Sequence, residues 1–186
     1  MKKLFVFRTL LTMMSVLACT RVVSVAADLD DIPGIRSMVL TNASSLAMPA
    51  AGVVSNFTVV STQTNGTLLQ ITAQDVCGTG TQGVFSYSLD DTTNVIRVVC
   101  RDDEDTGTDY WFFPAGTVRF YSEYHAGNMD GIYMKFHTNT EVSIFMNVSN
   151  NSFIGKCYEF ATDGSISQVT TTSVPRSVLY YVNPPQ

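Results

Sequence analysis

The sequence predicts an all-β fold, an antiparallel up-and-down meander that most closely fits a closed β-barrel, with a β-sandwich as the alternative. Three observations predict it. Apolar runs after residue 52 are short and rich in β-branched and aromatic residues. Within them, apolar and polar residues alternate with a period of two. The reversals between runs are short, which favours a meander over a sandwich, whose sheets are normally joined by at least one long crossing connection.

The first 27 residues have the layout of a cleaved secretory signal peptide. Lys2 and Lys3 precede an apolar run, and the small residues at 24–27 place the cleavage site near Ala26 or Ala27. We expect residues 28–52 to form an irregular N-terminal arm with at most a short helix near 44–52. Residues 53–186 then form a single β domain.

Eleven strands are expected in that domain, separated by turn residues such as "TNGT" at 64–67 and "TDGS" at 162–165. The expected strands are 53–62, 66–74, 83–90, 94–101, 110–113, 117–125, 131–138, 141–148, 152–161, 165–172 and 176–182. In the strand at 141–148, Val142, Ile144, Met146 and Val148 alternate with polar residues, which places Asn147 on a solvated face.

The charge of the chain excludes two classes of partner. Removal of the signal peptide takes away four basic residues and no acidic one, leaving seven basic and sixteen acidic residues and a net charge of −9. Nucleic acids and anionic membranes both require a basic surface. We expect neither as a partner, nor an integral membrane segment, since no later run approaches about 18 apolar residues.

Asparagine and cysteine give further indications of export. Five positions fit the N-glycosylation pattern, namely Asn42, Asn56, Asn65, Asn147 and Asn150. After processing, Cys77, Cys100 and Cys157 remain, so one disulfide is expected and its pairing is open. The third thiol is either buried or joins two chains in a disulfide-linked dimer. A secreted, glycosylated extracellular protein is therefore predicted.

Secretion, strand number and the meander make the chain similar to the lipocalins and their calycin relatives. The resemblance covers residues 53–172 and implies a barrel that carries a small hydrophobic ligand inside. The family's Gly-X-Trp motif near the first strand is absent, because the only tryptophan is Trp111, in the middle of the chain. No site residue is carried over from the family.

The candidate ligand site comes instead from large apolar side chains of the predicted strands, which suit an apolar ligand. The run "DYWFF" at 109–113 does not alternate, so it is expected at a pocket rim or an interface. The candidate residues are Tyr110, Trp111, Phe112, Phe113, Phe120, Tyr124, Met134, Phe136 and Met146.

No pattern in the chain indicates catalysis, a cofactor or a metal centre. The acidic loop at 102–109 has alternating oxygen ligands but lacks the final glutamate of a calcium-binding EF-hand, so calcium binding there stays open. An enzyme is therefore not expected. The leading hypothesis is a lipocalin-like carrier, and the alternative is a secreted β-sandwich that acts in adhesion, recognition or structure through its surface.

Overall fold

A computed structural model describes residues 27–46, 58–76, 82–89, 95–102 and 104–178. The described strands form one sheet of ten, in which each strand pairs antiparallel with its neighbours in sequence. This confirms the predicted all-β class and the antiparallel meander. The predicted signal peptide lies outside the described residues, apart from Ala27.

Nine hairpin connections join the ten strands in chain order. The strands are β1 (Thr58–Asn65), β2 (Leu68–Gln74), β3 (Gln82–Ser88), β4 (Val95–Arg101), β5 (Gly107–Phe112), β6 (Val118–His125), β7 (Asn128–Phe136), β8 (Val142–Ser149), β9 (Ser152–Phe160) and β10 (Ile166–Ser177). Two-residue turns close the tightest hairpins. Asn150 and Asn151, between β8 and β9, both have positive φ, as a type I′ turn requires.

The end of the sheet differs from the prediction. The expected strands at 165–172 and 176–182 are one strand as far as Ser177, because β10 continues through Pro175. A proline is tolerated there because, among the described strands, β10 is at the edge of the sheet and pairs only with β9. The register of the β9–β10 pair shifts between Thr172 and Arg176, which absorbs the interruption.

The N-terminal arm contains an α-helix that the sequence reasoning missed. Helix α1 spans Ile32–Leu46 and follows a 3₁₀ turn at Leu29–Asp31. The backbone N–H of Asp28 donates to Asp31 Oδ2 at 2.8 Å and fixes this entry. The expectation of an irregular segment over 28–52 is therefore wrong for 32–46, while residues 47–52 lie outside the described part.

The physical reason is that α1 is stabilised by packing rather than by helix propensity. Its interior contains glycine, serine, threonine and asparagine, which are weak helix formers. Its four buried side chains nevertheless recur along one stripe, and they are Ile32, Val39, Ala43 and Leu46. Helix α1 is 15 residues long, and no helix in the described ranges is long and apolar enough to cross a membrane.

The two faces of the sheet carry separate apolar clusters. We call the face that packs against α1 the helix face, and the other the outer face. The helix-face cluster joins α1 to side chains from β2 through β9, among them Ile71 and Tyr158. The outer-face cluster consists of Met129, Tyr133, Met146, Val148, Phe153, Cys157 and Val178. Both sides of strands β6 to β9 are therefore apolar, as in a sheet covered on both faces.

Candidate functional site

The aromatic run at 110–113 is divided by the sheet. Tyr110 and Phe112 point to the helix face and are 3% and 4% exposed. Trp111 is half-buried on the outer face, and Phe113, just beyond the end of β5, is also half-buried. The run alternates after all, and it looks continuous only because both faces are apolar at this point.

The nine predicted site residues are consequently not brought together. Four of them, Tyr110, Phe112, Met134 and Phe136, belong to the helix-face cluster. On the other side of the sheet, Met146 is a member of the outer-face cluster, with Phe120 and Tyr124 packed against it. No single pocket can therefore be lined by all nine residues.

The four helix-face residues pack in the same cluster as the buried side chains of α1. The ring centres of Tyr110 and Tyr121 are 5.1 Å apart, and burial raises the pKa of the Tyr110 hydroxyl. Only Tyr110 and Phe112 of the four reach clefts beside α1, and they line two separate ones.

On the outer face, four side chains from adjacent strands lie side by side across the sheet. The cross-strand pairs are Arg97 with Trp111, Trp111 with Phe120, and Phe120 with Lys135. We call these four residues the outer strip. It crosses β4 to β7, a span of about 14 Å at three strand spacings, and all four side chains are half-buried.

The outer strip is a stack. The rings of Trp111 and Phe120 are 5.2 Å apart and inclined by 21°, and the Arg97 guanidinium lies 5.2 Å from the Trp111 ring centre. Phe120 in turn lies 5.9 Å from the ring of Tyr133. The ring faces contact neighbouring side chains, so the strip exposes the ring edges to solvent. These edges carry positive partial charge.

One carboxylate orders the cationic end of the strip. Asp109, only 1% exposed, accepts two hydrogen bonds from the Arg97 guanidinium, at 3.0 and 2.6 Å. Arg101 approaches the same carboxylate at 3.9 Å and lies 3.8 Å from the ring centre of Tyr124. The bidentate geometry holds Arg97 against the Trp111 ring.

The other end of the strip has positive charge without a matching acid. Lys135 pairs with Phe120 across β6 and β7, and Arg119 lies beside it with its guanidinium 6.0 Å from the Phe113 ring centre. Within the described ranges, neither cation has a carboxylate within 4.0 Å. Burial, and secondarily the charge of Arg119, lowers the pKa of Lys135. An anion placed here would relieve the repulsion between the two cations.

A separate cleft lies between α1 and the hairpins at one end of the sheet. It measures about 350 Å³ and includes the apolar side chains of Ile32, Val142, Phe160 and Ile166. At its margin, Arg36 donates to Glu141 Oε1 at 2.9 Å and to the Thr140 carbonyl at 3.0 Å. The cleft therefore combines an apolar wall with one arginine–glutamate ion pair.

The acidic loop uses its carboxylates for internal contacts. Asp102 Oδ1 accepts from the backbone N–H groups of Glu104 and Thr106, and Asp105 pairs with Arg101 at 2.7 Å. Asp103 lies outside the described residues. In the part of the chain that the structure describes, no three His, Cys, Asp or Glu side chains are grouped closely enough to hold a metal ion.

The predicted glycosylation positions differ in exposure. Asn42 on α1, Asn65 at the end of β1 and Asn150 in the β8–β9 turn are exposed, whereas Asn56 is not among the described residues. Asn147 is half-buried and bonded to Ala27. Its prediction on a solvated face is wrong, because the face of β8 opposite Met146 carries the buried Phe145 and meets the N-terminal segment.

Sequence reasoning missed the cations of the outer strip. The sequence shows that Arg97 alternates with the apolar Val98. It does not show that Arg97 and Lys135 lie in one row with Trp111, because that depends on the register between strands. No family model matches this chain, and no curated protein is significantly similar to it. The geometry alone therefore supports the proposals that follow.

Proposed function

We propose that this chain is an exported recognition protein that binds an acidic carbohydrate along the outer strip. The observation that carries the proposal is the stack of Arg97, Trp111 and Phe120, continued by Lys135, with Arg119 beside it. Guanidinium and ammonium groups bind carboxylate and sulfate groups through charge-assisted hydrogen bonds. The positive ring edges add to the same preference.

Three other anionic partners fit less well. A peptide that binds by strand addition needs a free sheet edge, whereas the strip lies on strands that are paired on both sides. Nucleic acids and anionic membranes would meet a chain of net charge −9 after processing, which repels extended polyanionic surfaces. A short acidic oligosaccharide presents far fewer negative charges to that surface than either of these polyanions.

The test is a titration followed by tryptophan fluorescence. Trp111 is the only tryptophan in the chain, so its emission reports on the strip and on nothing else. The probes are an oligogalacturonate, a sulfated oligosaccharide and a neutral maltooligosaccharide of equal length. We expect saturable changes with the acidic probes, weakening as salt rises, and none with the neutral one.

Matched variants separate site binding from net charge. Lys135→Gln and Arg119→Gln each remove one positive charge from the site and should weaken binding about tenfold, the loss of one charge-assisted contact. Lys156→Gln removes the same charge from an exposed position on β9 and should leave affinity unchanged. Equal losses in all three variants would refute a localised site.

For the sheet as a whole, we propose a partly closed barrel that curls around α1. The helix-face cluster includes side chains from β2 to β9, seven strand spacings or about 34 Å in a flat sheet. A 15-residue helix is only about 22 Å long. One continuous cluster that includes the helix and all these strands favours a strongly curved sheet over a flat one.

A second candidate function rests on the cleft beside α1. Its volume of about 350 Å³ and its apolar wall suit a small hydrophobic ligand whose polar head group contacts the Arg36–Glu141 pair. This keeps the predicted carrier function but moves the ligand from the centre of the sheet to one end of the helix. Arg36 would supply the polar contact that orients such a ligand.

Native mass spectrometry combined with a fluorescent fatty-acid probe tests this second candidate. Binding should be weakened by Ile166→Trp, which fills the cleft from an exposed position, and by Arg36→Met. Probe binding should be unaffected by Lys135→Gln. In the unaltered protein, the probe should leave Trp111 emission unchanged. Absence of both a co-purifying molecule and probe binding would exclude the carrier function.

A further inference from the structure

The side chain of Asn147 holds the backbone of Ala27 by two reciprocal hydrogen bonds. The N–H of Ala27 donates to Asn147 Oδ1 at 3.1 Å, and Asn147 Nδ2 donates to the Ala27 carbonyl at 2.9 Å. The two residues are 120 positions apart, and Ala27 also packs against the helix-face cluster. Asn147 thus fixes the point at which the chain enters the 3₁₀ turn and α1.

A carboxamide is suited to this contact because it offers one acceptor and one donor in a plane, matching the N–H and C=O of a single residue. Both bonds are used, so removal of Ala27 would leave a half-buried amide with neither partner. Unsatisfied buried polar groups are costly. The contact therefore favours a mature chain that keeps residue 27.

We infer that the mature chain begins at Ala27 and that Asn147 is the docking site for its N-terminus. The inference rests on the predicted signal peptide and chooses between its two cleavage positions. Cleavage after Ala26 follows the small-X-small sequence Ser24-Val25-Ala26 and keeps both hydrogen bonds. Cleavage after Ala27 would remove the docked residue. The new α-amino group retains hydrogens to donate to Asn147 Oδ1.

The same geometry separates Asn147 from the other predicted glycosylation positions. To pair with both the N–H and the C=O of Ala27, the Asn147 amide uses Oδ1 and the Nδ2 hydrogen on the same side as Oδ1. This hydrogen is trans to Cβ. A sugar linked to Nδ2 takes that trans position, because secondary amides prefer trans. A glycan at Asn147 would therefore replace the hydrogen that bonds the Ala27 carbonyl. Folded, exported protein should carry an unmodified Asn147.

Mass spectrometry of the protein secreted from eukaryotic cells tests both statements. The expected N-terminal peptide begins at Ala27, and the expected peptide containing Asn147 has no glycan on that residue. An N-terminus at Asp28, or a folded fraction glycosylated at Asn147, would overturn the inference. An uncleaved chain would overturn it as well, by showing that the predicted signal peptide is wrong.

Two variants test the hydrogen bonds apart from the modification. Asn147→Ala removes the docking side chain and should lower Tm by about 3–6 °C, the scale of one to two hydrogen bonds in a chain of this length. Ser149→Ala destroys the same glycosylation pattern but leaves the Asn147 amide in place, and Ser149 is exposed. We expect it to leave Tm unchanged.

A chain that begins at Asp28 provides the reciprocal test, since it lacks Ala27 but keeps Asn147. Its Tm should fall as far as that of Asn147→Ala. Combining the two changes should produce no further fall, because both remove the same contact. Additive losses, or equal losses from Asn147→Ala and Ser149→Ala, would contradict a docking role.

Discussion

Arg97 donates two hydrogen bonds to the carboxylate of Asp109, at 3.0 and 2.6 Å, across adjacent strands β4 and β5. The Arg97 side chain is 36% exposed and that of Asp109 only 1%. The buried negative charge of Asp109 is therefore neutralised mainly by Arg97, whose side chain reaches solvent. It also aligns Arg97 with the ring of Trp111.

Loss of Arg97 should be costly because it leaves a buried carboxylate. We expect Arg97→Met to lower the free energy of unfolding by about 3 kcal/mol, since among the described basic residues only Arg101, at 3.9 Å, would remain near Asp109. The control is Glu141→Gln in the Arg36–Glu141 pair, whose side chains are 31% and 37% exposed and whose loss should cost less than about 1 kcal/mol. Urea denaturation measures both values, and equal costs would contradict the difference in burial.

Two buried hydroxyls should be dispensable. Within the described part of the chain, the hydroxyls of Tyr87 and Tyr133 are buried without a hydrogen-bond partner. Tyr87→Phe and Tyr133→Phe should therefore leave stability unchanged or raise it by about 1 kcal/mol. Tyr121→Phe is the matched control, because it removes a 2.8 Å hydrogen bond to Glu123 and should lower stability by about 1 kcal/mol. Destabilisation by the first two variants would show that these hydroxyls have partners.

Burial of tyrosines should also make the fold sensitive to alkali. Burial raises the pKa of Tyr87 to about 12 and raises the pKa of Tyr121 and Tyr133 as well. The folded state then holds these protons more tightly than the unfolded state, in which the pKa is about 10. The stabilisation is fully present below about pH 10 and is lost as the pH rises through the folded pKa, near 12 for Tyr87.

Denaturation at a series of pH values, together with the absorbance of tyrosinate, checks this expectation. The free energy of unfolding should fall above about pH 10, and the buried tyrosines should ionise as the protein unfolds. Tyr87→Phe should reduce the steepness of that fall. A steepness that is the same in the variant would mean that Tyr87 does not contribute.

Helix α1 should be part of the core rather than a loosely attached arm. Val39 is fully buried in the helix-face cluster, so Val39→Ala should lower the free energy of unfolding by about 2 kcal/mol. The adjacent Met38 is 38% exposed, and Met38→Ala should change it by less than about 0.5 kcal/mol. If Val39→Ala lowers the free energy of unfolding as little as Met38→Ala does, the helix is not part of the core that unfolds cooperatively.

The positions of the cysteines argue against one of the three open pairings, Cys100–Cys157. Cys100 belongs to the helix-face cluster and Cys157 to the outer-face cluster, so the sheet lies between their side chains. Two pairings that include Cys77 remain, and we propose Cys77–Cys100, which closes the shorter loop. Cys77 itself lies outside the described residues. A bridge across a loop of this length should contribute about 3 kcal/mol. Peptide mapping without reduction should recover Cys77 linked to Cys100, and a Cys100–Cys157 peptide would contradict the proposal.

The strands were predictable because each carries its own signals. In β7, for example, Ile132, Met134 and Phe136 lie on the helix face and Tyr133 lies on the outer face, as their alternation predicts. Turn sequences such as those at Gly66 and Gly164 likewise act over a few residues. The exceptions lie where packing overrides local preference. Helix α1 contains weak helix formers and is stabilised by its contacts with the helix face.

The candidate site was only partly predictable for the same reason. Trp111 and Phe120 stood out as large aromatics, but whether they share a face with Phe112 depends on which side of the sheet α1 covers. The involvement of Lys135 depends on the register of β6 against β7. Both relationships join segments that the sequence describes separately, so they required the three-dimensional structure.

The most direct measurement is the Trp111 emission of the processed protein during titration with an oligogalacturonate at low salt. We predict a saturable change that is weakened about tenfold by Lys135→Gln or Arg119→Gln and is unaffected by Lys156→Gln. No change in emission with either acidic probe, or equal changes with the neutral oligosaccharide, would contradict recognition of acidic carbohydrates at the outer strip.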